Sequence, residues 1–540
     1  MEKPLLATEF LDRAREHFGD HEAVLTVDGE RLTYDDLGAR VDRLSAALQD
    51  RGVEKGDRVA VLDPNTHYHL ETAYAAIQIG AVHTPLNYRL KPGENEYIVD
   101  DAGIDVIVCD WDFVDNVDPI RDAVDVHTYI CTDPDRADTD AEWADYEAVI
   151  AEYDPDDYDR PEMHEDELVT INYTSGTTGD PKGVMRTHRT ETVHAYLTAH
   201  QQSIESDDVY YWTLPMFHVN GWGHIFAVTG VGARHVCARG FDPGTTFEKI
   251  AAEDVSYMCC APTVMNRLIE YWEDHDPQTT GDNDLRIASG GAAPPEATMR
   301  TLEDDIGWYF KHMYGSTETG PLIVTSDYKR LFDQNDDARF EIKKRQGFAM
   351  LGTELRVVDE HGDDVAENDE EIGEIVVRGN QIMEGYWNKP EETEEAFNAR
   401  AEGWFHTGDL ASVDEDGMLR IKDRKKDIIV SGGENISTLQ LEDCLYDHPE
   451  VREVAVVPSP SEEWGETPKA FIIPRNGDPE NPGVTAGEIT EFTRERLATY
   501  KAVRRVEFVD ELPKTSTGKI QKFELREREW EGHDGRVGEG

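Results

Sequence analysis

Helix-like and strand-like patterns alternate from residue 7 to residue 120, and this rhythm constrains the fold more than any other feature of the chain. Leu32 to Leu37 leads into an amphipathic helix reaching about Leu48, and Gly56 to Leu62 reads as a turn followed by a strand. Glu71 to Ile79 reads as a helix closed by Gly80, and Asp105 to Cys109 as a further buried strand. Short apolar strands separated by helices pack as largely parallel sheets, so the expected fold class is α/β. A chain of 540 residues is too long for one core, so at least two domains are expected. The C-terminal part has a different pattern. Leu439 to Leu445 and Glu488 to Ala498 are helix-like, while Val454 to Val457, Ala470 to Ile473 and Val506 to Val509 are strand-like. They form a compact α+β unit, with the boundary expected near the charged run Asp423 to Asp427. Residues 132 to 166 read as an acidic, proline-containing surface excursion, and the tail from Glu531 as frayed.

Composition excludes several classes of function. Against 53 basic residues stand 113 acidic ones, a net charge of −60 spread along the whole chain. Such a surface repels nucleic acid and anionic membranes. Its self-repulsion opposes compaction in dilute salt and is screened in concentrated salt, so the chain suits a salty cytoplasm. Cys109, Cys131, Cys237, Cys259, Cys260 and Cys444 form no Cys-x-x-Cys pair, which fits a reducing compartment and gives no support for a structural zinc. The polar N-terminus does not read as a signal peptide, and no apolar run reaches membrane-spanning length.

The stretch Tyr173 to Val184 carries the first chemistry. Thr174, Ser175, Gly176, Thr177, Thr178 and Gly179 combine hydroxyl donors with a backbone that can approach a ligand, and Lys182 adds a movable positive charge. This composition suits a polyphosphate. The lysine spacing differs from a Walker A loop, and Gly/Ser/Thr clusters also serve as plain turns. The apolar strand from Leu168 to Ile171 and the Pro-Lys-Gly ending weigh against the plain turn. Further along, Tyr314, Gly315, Ser316, Thr317 and Glu318 offer an aromatic face, two hydroxyls and a carboxylate; alone they read as a turn entering a helix. Gly290 to Pro294 is a small-residue turn after the strand-like Leu285 to Ser289. Gly403 to Asp409 sets a carboxylate behind Gly and Thr, Asp414 to Gly417 reads as a hairpin turn, and Leu512 to Lys522 presents lysines on a glycine-containing loop.

In this order the motifs resemble the adenylate-forming superfamily, which includes acyl-CoA synthetases, luciferases and peptide-synthetase adenylation domains. The resemblance runs from about Thr8 to Arg526 and includes Ala261 to Thr263, Gly373 to Gly379, Asp423-Arg424, Ser431 to Asn435 and Pro513 to Lys519. It implies a large N-terminal adenylation domain (residues 1–422), a hinge (423–427), a small mobile C-terminal domain (428–530) and a flexible tail (531–540). It also implies ATP, Mg²⁺ and CoA, with a carboxylic acid activated as acyl-adenylate before transfer to a thiol. By the same resemblance, Thr174 to Gly179 and Lys182 hold the β- and γ-phosphates, and Thr174 with Glu318 positions Mg²⁺. Tyr314 packs on adenine beside Gly291, Ala292 and Ala293, Gly315 and Ser316 belong to the same site, and Thr317 touches the α-phosphate. Asp409 takes the ribose hydroxyls with Arg424 assisting. Lys519 bridges the carboxylate and the α-phosphate, Lys426 is the hinge, and Gly432 and Gly433 line the thiol tunnel.

Pro215 to Trp222 looks like short- and medium-chain fatty acyl-CoA synthetases. His218, Val219, Asn220, Gly221 and Trp222 are its candidate acyl-pocket residues, with Trp222 bounding the slot and His218 admitting the thiol; a packed core histidine is the bland alternative. Trp464 to Glu466 matches this branch too, whereas Val430 stands where relatives commonly have lysine and Leu439-Gln440 replaces a more usual Val-Glu. The leading expectation is an AMP-forming acyl-CoA ligase of a short- to medium-chain acid in the cytoplasm, and a homodimer is admitted. Its rivals are a free-standing enzyme that loads a carrier-protein thiol, a non-catalytic acyl- or nucleotide-binding paralogue and, last, a luciferase-like oxygenase.

Overall fold

The computed structural model describes residues 3–174, 180–281, 284–290, 294, 296–326, 336–398, 402–432, 434–461, 464–514 and 520–531, with 336–338 in their backbone. The chain divides into two compact units. The first comprises Met1–Lys343, Ala349–Glu354 and Arg378–Glu395; the second comprises Lys344–Phe348, Leu355–Val377 and Ala396–Gly540.

Two mainly parallel sheets build the first unit. One runs, in spatial order, Val324–Thr325, Tyr309–Tyr314, Arg286–Gly290, Tyr257–Cys259, Val209–Tyr211, Arg234–Val236, Glu22–Leu25 and Arg31–Thr33. The other runs Gly385–Tyr386, Lys182–Thr187, Leu168–Thr174, Val82–Pro85, Arg58–Leu62, Ile104–Cys109, Thr128–Cys131 and Ala144–Asp145. The strands alternate faces with period two. Val59 and Val61 join a core with Val24, Tyr210 and the helices Tyr34–Asp50, His67–Gln78 and His224–Val231. Ala60 and Leu62 face a second core under the helix Pro92–Ala102, while Leu25, Tyr211 and Met258 face a third under Pro243–Glu253 and Pro262–His275. Both faces of both sheets are covered, which explains why the strands read as continuous apolar runs rather than alternating ones.

The expected strands and helices from Leu32 to Cys109 are present, with ends displaced by a few residues. The stretch 132–166 is less external than its composition suggests. It contributes the edge strand Ala144–Asp145 and the helix Tyr146–Ala151, and Tyr146 is fully buried with its hydroxyl donating to Glu71 at 2.7 Å.

The second unit holds a four-stranded sheet, Glu354–Val358, Gly373–Arg378, Phe405–Val413 and Leu419–Arg424, whose boundary strands pass into the first unit's segments. Asp414 to Met418 makes the expected hairpin turn between the last two strands. A further sheet contains Ile429–Ser431, Glu434–Ile436, Val451–Ser461, Gly465–Pro474 and Arg505–Phe508. Val454, Val456, Ala470 and Ile472 share a core with Leu441 and Ile489 of the helices Thr438–Tyr446 and Ala486–Arg496; Ala455, Val457, Phe471 and Ile473 pack with Leu525 of Lys522–Trp530. This is the α+β unit read from the sequence.

Candidate active site

Tyr386 ties the strands Leu168–Thr174 and Lys182–Thr187 to the Ser-Thr-Glu turn. Thr174 ends the strand Leu168–Thr174 and stands opposite Lys182, the first residue of the antiparallel partner Lys182–Thr187. The Thr174 hydroxyl donates to the Lys182 carbonyl at 3.4 Å. Gly385–Tyr386 pairs on the other side of that partner strand, opposite Met185 and Val184. The Lys182 ammonium lies 4.8 Å from the centre of the Tyr386 ring, and the Tyr386 hydroxyl donates to Glu318 Oε1 at 3.1 Å. Burial, followed by the neighbouring Glu318 carboxylate, raises the phenol pKa, so Tyr386 remains a donor. Sequence reasoning missed Tyr386, because its partners lie far away in the chain and no local pattern marks it.

The turn carrying Glu318 is tightly built. Tyr314 ends a strand and is buried, Ser316 caps a short 3₁₀ turn at Thr317–Thr319, and the Ser316 N–H donates to Thr319 Oγ1 at 2.8 Å. Gly315 is required sterically: a Cβ there would lie 1.6 Å from the Pro321 carbonyl oxygen. Gly315→Ala is therefore expected to break the turn and abolish ATP-dependent activity, a loss that pyrophosphate exchange would register. Glu318 and Thr174 supply hard oxygen donors of the kind magnesium takes. Among the described residues no cluster of three or more His, Cys, Asp or Glu side chains offers a closed metal cage. That donor set fits a metal that keeps water and phosphate ligands, as Mg²⁺ does.

The Val219–Trp222 segment has an unusual backbone. Val219, Asn220, Gly221, Trp222 and Gly223 have φ of 47°, 52°, 58°, 56° and 75°, a left-handed turn. This costs roughly 1–2 kcal/mol for an L-residue with an ordinary side chain, so surrounding contacts must hold the turn. Gly221 is forced by packing, since a Cβ would lie 2.3 Å from the Trp212 ring. Asn220 donates to Glu191 Oε1 at 3.0 Å, and His224 Nδ1 donates to the Gly221 carbonyl at 2.8 Å. The Trp222 indole is buried against Gly290, the last residue of the strand preceding Gly291. His218 is half-buried, at the start of the turn.

Asp409 and Arg424 meet in the second unit. They are opposite each other on adjacent antiparallel strands, with Arg424 Nε 3.6 Å from Asp409 Oδ1. Just beyond, Asp423 is buried and accepts from the Thr438 N–H and hydroxyl, and Lys426 is exposed with its carbonyl accepting from Arg526 at 3.4 Å. Gly432 has φ of 62°, and its N–H donates to the Trp464 carbonyl at 2.8 Å. The Val430 N–H donates to buried Glu466 at 2.8 Å, which anchors the backbone there. Ser175 to Gly179, Gly291 to Ala293, Gly433, Lys519 and the end of the tail lie outside the described residues.

Comparison with known proteins adds independent findings. Residues 11–387 match the family model "AMP-binding enzyme", and residues 440–519 match "AMP-binding enzyme C-terminal domain". The chain is 38% identical to the Arabidopsis thaliana protein named "Probable acyl-activating enzyme 5, peroxisomal", over 97% of this chain and 96% of that one. It is 35% identical to 4-hydroxybutyrate–CoA ligase 2 of Metallosphaera sedula, over 97% and 94% of the two chains. The crystal structure of ATP-bound MatB from Rhodopseudomonas palustris superposes with a TM-score of 0.85 at 28% identity, covering 98% of this chain and 99% of that one.

Proposed function

Because the chain belongs to the AMP-binding enzyme family and is an ATP-dependent, AMP-forming acid–thiol ligase, we propose that it activates a short- to medium-chain carboxylic acid through the residues described above. Its substrates are the acid, ATP and CoA, with Mg²⁺ as the metal. The observation that carries the site assignment is the Lys182–Tyr386–Glu318 link, which joins the end of the phosphate-loop strands to the Ser-Thr-Glu turn.

In this reading the acid's carboxylate oxygen attacks the α-phosphorus, the bond to the β-phosphate oxygen breaks, and pyrophosphate leaves. Thr174 to Gly179 and Lys182 hold the leaving group, Tyr314 with Gly291 to Ala293 seats adenine, and Thr317 donates to the α-phosphate. Asp409 accepts from the ribose hydroxyls beside Arg424. Glu318 and Thr174 would hold Mg²⁺, which would supply charge neutralisation to the phosphates. Lys519 spans the carboxylate and the α-phosphate as the new bond forms. The CoA sulfur then attacks the acyl carbon and AMP leaves, so no protein side chain becomes covalently bound; positioning and charge neutralisation suffice. The proposal includes a pivot at Lys426, between bodies 1–422 and 428–530, that exchanges Lys519 for the Gly432–Gly433 turn at the site.

Two features support a short acyl slot: Trp222 buried against Gly290, and the relative named for 4-hydroxybutyrate. Trp222→Gly removes the indole at a position whose φ suits glycine. At about 0.8 kcal/mol per buried methylene, kcat/KM for an eight-carbon over a four-carbon acid should rise at least ~10-fold. An unchanged chain-length profile would remove Trp222 from the pocket. A carboxylate panel read by ATP–pyrophosphate exchange and by CoA thioester formation tests the whole reading. Exchange without thioester, but with acyl transfer to a carrier protein, would favour a carrier-loading enzyme.

Six buried free cysteines support a reducing, cytoplasmic location. Among the described residues no helix is long and apolar enough to cross a membrane. Sedimentation would distinguish a monomer from the homodimer.

A further inference from the structure

Arg186 and Glu191 form an ion pair that is almost completely buried. Burying two charges gives little stability compared with an apolar pair of the same volume, so their function is sought in what they hold. Arg186 extends from the phosphate-loop strand Lys182–Thr187. One guanidinium nitrogen donates to the Gln381 carbonyl at 3.1 Å, and another donates to the Gly320 carbonyl at 3.2 Å. Gly320 closes the turn that carries Glu318, and the Gln381 segment continues to Tyr386. Glu191 Oε1 accepts both from Arg186 Nε and from Asn220 at 3.0 Å. One carboxylate oxygen therefore joins the guanidinium beneath the Glu318 turn to the left-handed segment that carries Trp222.

A second strut runs alongside. His194 lies one helical turn beyond Glu191, on the same helix face. Its Nε2 accepts from the Leu322 N–H at 3.4 Å, and a Cβ on Gly223 would lie 2.4 Å from its Nδ1. The face of the helix His188–Gln202 thus spans from the end of the acyl segment to the residues following the Glu318 turn.

We propose that Arg186 and Glu191 are positioning residues of the adenylation reaction, fixing the Glu318 turn and the Asn220–Trp222 segment against one another. The proposal rests on the reading of Glu318 as the metal-holding residue and of Val219 to Trp222 as acyl pocket. The fork of Arg186 is suited to this task, because several fixed donors address carbonyls from separate segments, which a lysine cannot reproduce.

The test uses the full-length enzyme and two variants. The double variant Arg186→Met with Glu191→Leu replaces the pair by apolar side chains, while Arg186→Lys keeps the charge and loses the fork. The measurements are the thermal midpoint, the half-saturating Mg²⁺ concentration in pyrophosphate exchange, and KM and kcat for the acid. A displacement of about 1 Å at reacting groups lowers rate by ~10²-fold, so the double variant should lose at least ~10-fold in kcat/KM for the acid and need more Mg²⁺. Arg186→Lys should need several-fold more Mg²⁺, with the smaller change in acid KM, because Glu191 still meets Asn220. Wild-type Mg²⁺ and acid constants in either folded variant would overturn the proposal, and Arg186→Lys decides alone if the double variant does not fold. Absence of exchange in the wild-type enzyme across the carboxylate panel would instead overturn the underlying site reading.

Discussion

Lys519→Ala should reduce adenylate formation by ~10²–10³, the typical loss when one preorganised donor is removed from a charge-developing site. Transfer of the acyl group from supplied acyl-adenylate to CoA should stay near the wild-type rate. The asymmetry follows from the proposed chemistry. In the first half-reaction, negative charge builds on the α-phosphate while a carboxylate approaches it, and a single cation spanning both relieves the repulsion. In the second, the attacked atom is the acyl carbon and the leaving group is AMP, and the pivot proposed above takes Lys519 away from the reacting atoms. The two half-reactions can be measured separately by ATP–pyrophosphate exchange and by thioester formation from synthetic acyl-adenylate. Equal loss in both, with an unchanged thermal midpoint, would remove Lys519 from this role. Lys182→Ala provides the comparison: on the phosphate side, beside Tyr386, it should act mainly on KM for ATP.

The difference between these lysines shows what was legible in sequence. Strand–helix alternation from Leu32 to Cys109 announced the parallel sheet, because apolar strands covered on both faces leave a local signature. The motifs around Asp409 and Arg424 mark them as members of one site, and the hairpin puts the two residues opposite each other, a contact made within one local strand pair. Tyr386 was not legible. It reaches Glu318 because a two-residue strand adds to the edge beside Met185, and pairing over that distance leaves no trace in local periodicity. Arg186 was hidden for a related reason: a charged residue within a strand reads as a solvated face until its buried partner is known. The left-handed backbone at Val219 and Trp222 also runs against local preference, since only Asn220 and Gly221 favour it. Local rules failed there because distant groups, Glu191 and His194, hold the segment. The unfavourable backbone conformation falls at a proposed acyl pocket, where conflict between local and global preference is expected.

Acid should unfold the first unit well above the carboxylate range when salt is high. His69, His83, His188, His194, His224 and His235 are fully or nearly fully buried, and burial pushes the pKa of each below the ordinary imidazole value, to about 4 for His188 and His224 and about 3 for His83 and His235. Geometry supports neutral rings: His188 Nδ1 accepts from the Ala7 N–H at 3.2 Å, and His235 Nδ1 accepts from the Trp212 indole at 3.1 Å. A proton on either nitrogen would oppose that donor. Folded-state pKa values are depressed, so the unfolded chain binds more protons below about pH 6.5. The stabilisation is therefore present above pH 6.5 and declines as pH falls toward the folded-state values. At pH 5.5 each such group costs about 1.4 kcal/mol, so even three would remove about 4 kcal/mol, a large part of an ordinary domain's stability. In dilute buffer, acid also relieves the repulsion of a chain carrying a net charge of −60, which opposes the histidine effect. About 3 M KCl screens that repulsion to a few ångströms, so the acid loss should be larger there, offset in part by buried Asp63, whose carboxyl burial pushes up to about 7 and which therefore favours the folded chain as pH falls, while stability and activity near neutral pH should exceed those in dilute buffer. Denaturant unfolding at pH 7.5, 6.5 and 5.5, at both salt levels, separates the two effects. His188→Gln retains a side-chain acceptor without a proton to gain, and should flatten the pH slope by about one proton. Stability that holds level down to pH 5.5 in concentrated salt would rule out the histidine mechanism, and full stability in dilute buffer would rule out salt adaptation.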